Sequence, residues 1–407
     1  MKPEERLFIG LLRSCFQGTV PEAPEGQPDW EALHEIALSQ SLSGICYVQL
    51  KKLAETGFDV PEQVLEQFQQ DFHSEVYYAV NRQAAVSELT AAFERENIPF
   101  RTFKGWRTKD LWPQPLLRTM GDVDILVHTE DRRRSDDTML SLGYQKYVDN
   151  HSVWTYEARD ITVEIHDHMF YEHLANSFDY ISFFDNAWDY ADGPLDESFQ
   201  VLYLLCHNAK HILNNGIGFR AFLDLAFYSR KGNVRWDWVC SKLNEIQLFG
   251  FAETSFALCK AWFDLEPPFP IGGIDADFYE KTTEKAFRDG TFGLENAENR
   301  SAVTAKDIMH DRSSYLFSSL RLLVKRIFPH YEDMQLAPRY AFVDGRPWLL
   351  PFAWGYRWVF CLLHKKEKSL FMLMEPIQNR KKIQERQNLI MSWNLGDEPS
   401  SEGGINR

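Results

Sequence analysis

Arg118-Thr119-Met120-Gly121-Asp122-Val123-Asp124-Ile125-Leu126-Val127 decides how this chain is read, together with Thr162-Val163-Glu164-Ile165-His166 further along. In the first stretch Val123, Ile125 and Val127 alternate with Asp122, Asp124 and Leu126. An extended strand sends successive side chains to opposite faces, so both aspartates share one face and the β-branched residues share the other. In the second stretch Thr162, Glu164 and His166 share a face opposite Val163 and Ile165. Pairing the two strands gathers three carboxylates. Like charges so placed repel, and the cluster stays ionised only against cations. Two aspartates and a third acid at the edge of a sheet suit metal-assisted phosphoryl transfer, with Mg²⁺ or Mn²⁺ as the ion.

Outward from that pair, the period of the apolar residues changes twice. Residues 1–98 read as helical: Trp30 opens a helix after a Pro/Gly/Asp-rich stretch, and Val64, Phe68, Phe72, Val76 and Val80 repeat at i, i+4. Asn97-Ile98-Pro99 breaks this pattern, Phe100 to Phe103 is a short strand, Lys104-Gly105 a turn, and Trp106 to Trp112 a helix ended by prolines. Thr129-Glu130-Asp131 starts a helix that Gly143 stops, and Tyr144–Val148, Val153–Glu157 and Ile161–His166 complete a mixed sheet. Helical patterns then return over Asp196–Leu213, Phe219–Arg230, Trp236–Leu248, Phe251–Phe263, Arg321–Phe328 and Trp354–Leu363. The region 271–310 is polar and without a clear period, and the tail from Asn394 has the composition of a disordered segment. The expected fold is α+β, a small mixed sheet flanked by helices. The expected divisions are an N-terminal helical region (1–98), an α/β core (99–190), a helical domain (191–310) and a C-terminal helical region with its tail (311–407).

Composition narrows the partners. A net charge of -15 over 407 residues argues against wrapping extended nucleic acid, which needs many Lys/Arg–phosphate contacts, and favours a small-molecule or protein acceptor. The 6 cysteines form no CxxC pair and read as reduced thiols of a cytoplasmic protein. Met1 to Phe16 is a poor signal peptide because acids precede a short apolar run that Arg13 interrupts. Pro347 to Leu363 is too short and too interrupted for a membrane span, and reads as a packed aromatic helix.

Lys104-Gly105 after a strand, then Arg118, Asp122 and Asp124, then Glu164 with His166, resembles the uncharacterised nucleotidyltransferase family of the DNA polymerase β-like superfold. The likeness extends to Ala37-Leu38-Ser39-Gln40-Ser41, to His207-Asn208-Ala209-Lys210-His211 with Arg220 and Asp224, and to Ile327-Phe328-Pro329. The resemblance implies a glycine-containing turn before a strand with two metal-binding acids, and a third acid on a neighbouring strand. It also implies transfer of an NMP group from an NTP (ATP or another) to a hydroxyl, with release of pyrophosphate. On that reading Asp122, Asp124 and Glu164 hold the metal and carry catalysis, while Lys104, Gly105, Arg118 and His166 serve the nucleotide. The chain departs from the superfold in its turn: Lys104-Gly105-Trp106 stands where Gly-Ser or Gly-Gly is usual, and the gap to the first aspartate is longer. Either Lys104 or Arg118 takes over the phosphate-holding work of the missing serine, or nucleotide binding is weakened; the absent serine also favours the competing reading, a nucleotide- or protein-binding module that keeps the fold without catalysis.

Two further chemistries use some of the same residues. A glycosyltransferase also employs Asp-x-Asp, but it needs a large nucleotide-binding α/β domain upstream, where this chain is helical. His166, His168 and His173 with His207 and His211 have the spacing of a transition-metal hydrolase set, although no ligand set is complete without distant contacts. Arg220 and Asp224 stand i, i+4 on one helix and are expected to pair there. Asn214 to Gly218 follows no strand and is no dinucleotide fingerprint, and Arg380-Lys381-Lys382 reads as a solvated helix face.

Overall fold

The computed structural model describes residues 1–149, 153–171, 174–176, 178–190, 193, 195–214, 216–231, 233–291, 315–331, 334, 338–364 and 380–396. Contacts divide the chain into two compact units, Met1–His173 with Phe178–Leu294, and Leu174–Ser177 with Glu295–Arg407. His173 and the tail beyond residue 396 lie outside the described residues.

The first unit opens with α1 (Pro3–Gln17), α2 (Trp30–Ser39), α3 (Ser43–Glu55) and the long α4 (Glu62–Arg95). Asp29 caps α2 by accepting from the Ala32 amide, which satisfies one of the open donors of a helix start. The sheet follows: β1 (Phe100–Thr102), β2 (Asp122–Val127), β3 (Gln145–Asp149), β4 (Val153–Ala158) and β5 (Ile161–His166), in the spatial order β1-β2-β5-β4-β3. Only the β2–β5 pair is parallel; β1–β2, β3–β4 and β4–β5 are antiparallel, so the sheet is mixed. Between strands lie α5 (Gly105–Thr108), which continues as a 3₁₀ turn to Leu111, and α6 (Arg132–Ser141). Gly143 takes a positive φ of 86° just past α6 and stops it.

Why β2 lies as it does follows from its alternation. Val123, Ile125 and Val127 are fully buried against Val86, Leu89 and Phe93 of α4, with Met139, Val163 and Ile165 in the same cluster. A slip of one residue would drive Asp122 and Asp124 into that apolar layer, so burial of the valines and isoleucine fixes the register that turns the acids to the other face.

Helices return after the sheet: α7 (Tyr180–Phe184), α8 (Asp196–Asn214), α9 (Phe219–Ser229), α10 (Trp236–Glu245), α11 (Phe249–Phe263) and α12 (Ala276–Asp289). Aromatic side chains dominate here. Phe219 meets Phe8, Trp262 and Phe287, and Phe103 meets Tyr203 edge to face. α12 lies in the polar stretch that showed no period; Asp275 starts it by accepting from the Phe278 amide.

The second unit contains α13 (Tyr315–Ile327), α14 (Leu350–His364) and α15 (Arg380–Ser392). α14 packs one side, with Ala353 buried and the Trp354 and Trp358 indoles donating to the Pro329 and Ile327 carbonyls, while Phe352 and Val359 are exposed. No helix among the described residues is long and apolar enough to cross a membrane. All six cysteines carry free thiols.

Candidate active site

Parallel pairing sets Asp122 beside Thr162, Asp124 beside Glu164 and Leu126 beside His166. Paired residues on neighbouring strands point the same way, so Asp124 and Glu164 become direct neighbours although 40 residues separate them in sequence. Ligand atoms of Asp124, Glu164 and His166 lie within 4.8 Å of one another, the set of three metal-competent side chains found among the described residues. Asp122 stands one pleat back along β2 on the same face.

Asp124 is 2% exposed. A buried carboxylate needs partners, and it has two: the Lys104 ammonium at 2.5 Å and His166 Nε2 at 2.9 Å, both on Oδ1. Burial alone would raise its carboxyl, but the Lys104 charge and the His166 hydrogen bond outweigh burial and hold it at about 2. Lys104 is pulled the complementary way. Burial works to lower it, and Asp124, Tyr203, Asp122 and Glu164 together keep the ammonium well above the usual lysine range. Asp122 shows the cost of the cluster: the Asp124 charge first, then burial, push its carboxyl up to about 6.

His166 is held on both sides. Nε2 faces Asp124 and, at 3.3 Å, Glu164 Oε2, while the Tyr171 hydroxyl lies 3.3 Å from Nδ1 with its ring stacked on the imidazole. With Nε2–H toward the carboxylates and Nδ1 accepting from Tyr171, both ring nitrogens are satisfied. Phe103 closes the imidazole edge at 5.1 Å. Neither Tyr171 nor Tyr203 was singled out by the sequence, where nothing distinguishes them from the chain's other tyrosines.

Lys104 reaches Asp124 from an unusual backbone, with φ 49° and ψ -130°. A side-chain-bearing residue in that region is strained by about 1–3 kcal/mol. Gly105 has a different task. A Cβ there would come within 2.3 Å of Arg118 Nη1, so the glycine makes room for a guanidinium.

Arg118 does not turn toward the acids. It is buried, and Asp224 binds it through Nη2 at 2.7 Å and Nε at 3.3 Å, while Nη1 donates to the Thr119 carbonyl. The indole of Trp112 donates to the same carboxylate at 2.7 Å. Asp224, expected to pair with Arg220 on its own helix, is thus taken up by partners from the segment between β1 and β2. Arg220 donates instead to the carbonyl and hydroxyl of Thr119, each at 2.9 Å. Thr119 in turn donates to the Ser41 carbonyl at 2.7 Å, and Gln40 accepts from the Phe219 amide and donates to the Ala286 carbonyl. The Gln40-Ser41 corner therefore ties the N-terminal helices to the segment leading into β2 and to α9.

The histidines of the hydrolase alternative do not assemble among the described residues. His168 Nδ1 pairs with Asp185 at 2.6 Å, and His207 and His211 face each other across 2.9 Å. Burial, then the His211, Lys104 and Lys210 charges, hold His207 well below the usual histidine range.

The donor set suits a hard divalent cation. Three carboxylates face the one ammonium of Lys104, and a divalent ion would offset the excess negative charge. The hydrogen bonds to Asp124 fall on Oδ1, Glu164 is 26% exposed, and Asp122 is partly exposed. Among the described residues the side chains close enough to share an ion are Asp124, Glu164 and His166, with Asp122 on the same strand face outside that group.

The family model described as uncharacterised nucleotidyltransferase matches residues 26–264, more than half of the 407-residue chain and the span that carries the acid cluster with Lys104, Arg118 and Asp224. No curated protein and no solved structure matches. Its Lys104-Gly105 turn, its Asp-x-Asp strand and its Glu164 partner strand all fall inside that match, and the chain belongs to the uncharacterised nucleotidyltransferase family.

Proposed function

We propose that this chain moves an NMP group from an NTP to a hydroxyl of a small-molecule or protein acceptor, using Mg²⁺ or Mn²⁺ held by Asp122, Asp124 and Glu164. The observation that carries the reading is the β2–β5 register, which sets Asp124 against Glu164 with His166 beside them. In the reaction the acceptor oxygen forms a bond to the α-phosphorus, the bond from that phosphorus to the bridging oxygen breaks, and pyrophosphate leaves. The divalent ion supplies charge neutralisation for the phosphate oxygens. Glu164, the most accessible member of the Asp124–Glu164–His166 set, takes the acceptor proton or orients its hydroxyl. His166 fixes the Asp124 carboxylate from one side and Lys104 fixes it from the other. Of the two cations assigned to phosphate from sequence, Lys104 stands at the acids, whereas Arg118 braces the turn through Asp224.

The second reading, a binding module that keeps the fold without turnover, draws on one observation: Lys104 Nζ sits on Asp124 at 2.5 Å, where catalysis needs the carboxylate for metal. Thermal melting with each NTP, with and without Mg²⁺, tests the first step. Metal-dependent stabilisation that Asp122→Ala and Asp124→Ala remove is expected; no response to any nucleotide counts against both nucleotide readings. Transfer of label from α-labelled NTPs into cell extract then separates enzyme from binder, since an enzyme loses transfer with Glu164→Ala and a binder shows none to lose.

A further inference from the structure

A cavity of about 330 Å³ opens at the start of β2, walled by Ser43, Glu75, Arg82, Thr119, Gly121 and Arg220 among others. It lies next to Asp122 without including it. Its chemistry is unlike that of the acid cluster. Two guanidinium groups line it, and Arg82 and Arg220 both feel the Asp122 charge, as well as that of Arg118. Two of the residues that line it each have an enclosed side-chain polar atom with no hydrogen-bond partner among the described residues, Arg82 Nε and Ser43 Oγ. Buried donors in folded proteins are nearly always partnered, so two on the wall of one cavity are donors that a small side-chain rotation would offer to an acceptor supplied from outside.

We propose that this cavity is a binding site for a phosphate group, held by Arg82, Arg220 and Ser43 beside Asp122. A tetrahedral anion offers acceptors to all three at once, and guanidinium groups match its oxygens two at a time. It also answers the crowding of cations. Burial and then Arg118 push the Arg220 guanidinium down to about 9, against the pull of Asp224, Asp122 and Glu75, and an anion reverses that strain. Glu75 does not forbid the anion. Its Oε2 accepts from the Gly44 amide, and burial first, with Asp71 adding, pushes its carboxyl up to about 8, so it stands protonated at neutral pH as one more donor.

The phosphate has two possible carriers: the β,γ-phosphates of the NTP, or a phosphate on the acceptor. Only the first rests on the reaction proposed above; the site itself does not.

The test uses the full chain in EDTA, with inorganic phosphate, pyrophosphate and a non-hydrolysable NTP analogue followed by calorimetry. Wild type is expected to bind pyrophosphate or phosphate without metal. Arg82→Gln should weaken that binding on the order of tenfold, the loss of one charge-assisted contact, and Ser43→Ala by a smaller factor. Circular dichroism and melting temperature check that both variants are folded. If Arg82→Gln weakens pyrophosphate and the NTP analogue alike, and the two compete, the nucleotide tail occupies the cavity. If it weakens inorganic phosphate while the NTP analogue binds as before, the acceptor carries the phosphate. Absence of binding by any of the three probes, or equal binding by wild type and both variants, overturns the proposal. Phosphate binding that survives in a protein with no metal-dependent nucleotide response would sink the transferase and spare this site.

Discussion

Asp122→Asn should make the metal-free protein more stable at neutral pH, because the native carboxyl is held in an unfavourable place. Its proton affinity is raised from the ordinary 3.8 to about 6, first by Asp124 and then by burial. The folded state therefore binds a proton that the unfolded state has released, and stability falls as pH rises from about 4 to about 6. At about 1.4 kcal/mol per unit, the shift amounts to roughly 3 kcal/mol as an upper figure at pH 8, about half of it developing above pH 5. Partial exposure of Asp122 screens the group and trims this to about 2 kcal/mol. For a unit of this size that corresponds to roughly 4–6 °C in melting temperature. The assay is thermal unfolding of wild type and Asp122→Asn between pH 5 and 8, in EDTA and again with millimolar Mg²⁺. In EDTA the gap between the two proteins should widen with pH. With Mg²⁺ wild type should gain stability that the variant does not, closing or reversing the gap, because the ion binds the ionised carboxylate of the native state. Parallel pH profiles in EDTA, or a gap that Mg²⁺ leaves unchanged, would refute the claim that Asp122 is strained by its neighbours and relieved by a cation.

Asp224→Ala should cost about 3–5 kcal/mol by denaturant unfolding, since it strands a buried guanidinium and the Trp112 indole together; Arg118→Met with Asp224→Leu should recover much of that, and a strict sum of the single losses would argue against a coupled pair. Gly105→Ala should lower the NTP-dependent response with little change in overall secondary structure, because its Cβ meets Arg118 Nη1 at 2.3 Å and displaces the turn that carries Lys104; unchanged nucleotide melting shifts would remove the turn from the site. Glu75→Gln should stabilise the protein by about 2 kcal/mol or more at pH 8 and by little at pH 4.5. A carboxyl raised to about 8 penalises folding progressively between its ordinary 4.5 and 8, and a pH-independent effect of the substitution would contradict that burial.

What the sequence disclosed here was whatever period discloses. Val123, Ile125 and Val127 announce both a strand and its buried face, and the same alternation over 162–166 orients Glu164 and His166. Helices α4, α8 and α9 were readable because their apolar residues repeat, whereas α12 buries Thr282, Thr283 and Asp289 beside Ala286, polar positions that a reading of apolar residues passes over. The contacts that complete the site are of another kind. Arg118 and Asp224 lie 106 residues apart, and no local pattern says that they meet. Arg82 is one polar position on a long amphipathic helix, identical in spacing to its solvated neighbours, and its place beside Asp122 exists only after α4 has packed on the sheet. Gly105 was legible as a turn, but the positive φ belongs to Lys104, and the glycine is needed for the guanidinium behind it.

The two functional readings meet at Lys104, and charge decides what its ion pair means. A lysine added to a strained turn, with φ 49° and ψ -130°, has to offset about 1–3 kcal/mol of backbone strain. It does so by neutralising a carboxylate that is almost wholly enclosed and would otherwise be the most costly group in the sheet. Were the acids idle, one ammonium for one buried aspartate would close the account, and Asp122 could sit ionised at ordinary cost. It does not: with Lys104 in place, Asp122 is still raised to about 6 by Asp124 and by burial. Lysine thus makes Asp124 foldable while Asp122, on the partly exposed side of the cluster, still carries the repulsion of its neighbour. The ammonium sits on the enclosed Oδ1 of Asp124, and a divalent ion bound as proposed would answer the charge of the more accessible carboxylates. That division supports a lysine that steadies the acids through folding, and counts against one that stands in for the proposed metal.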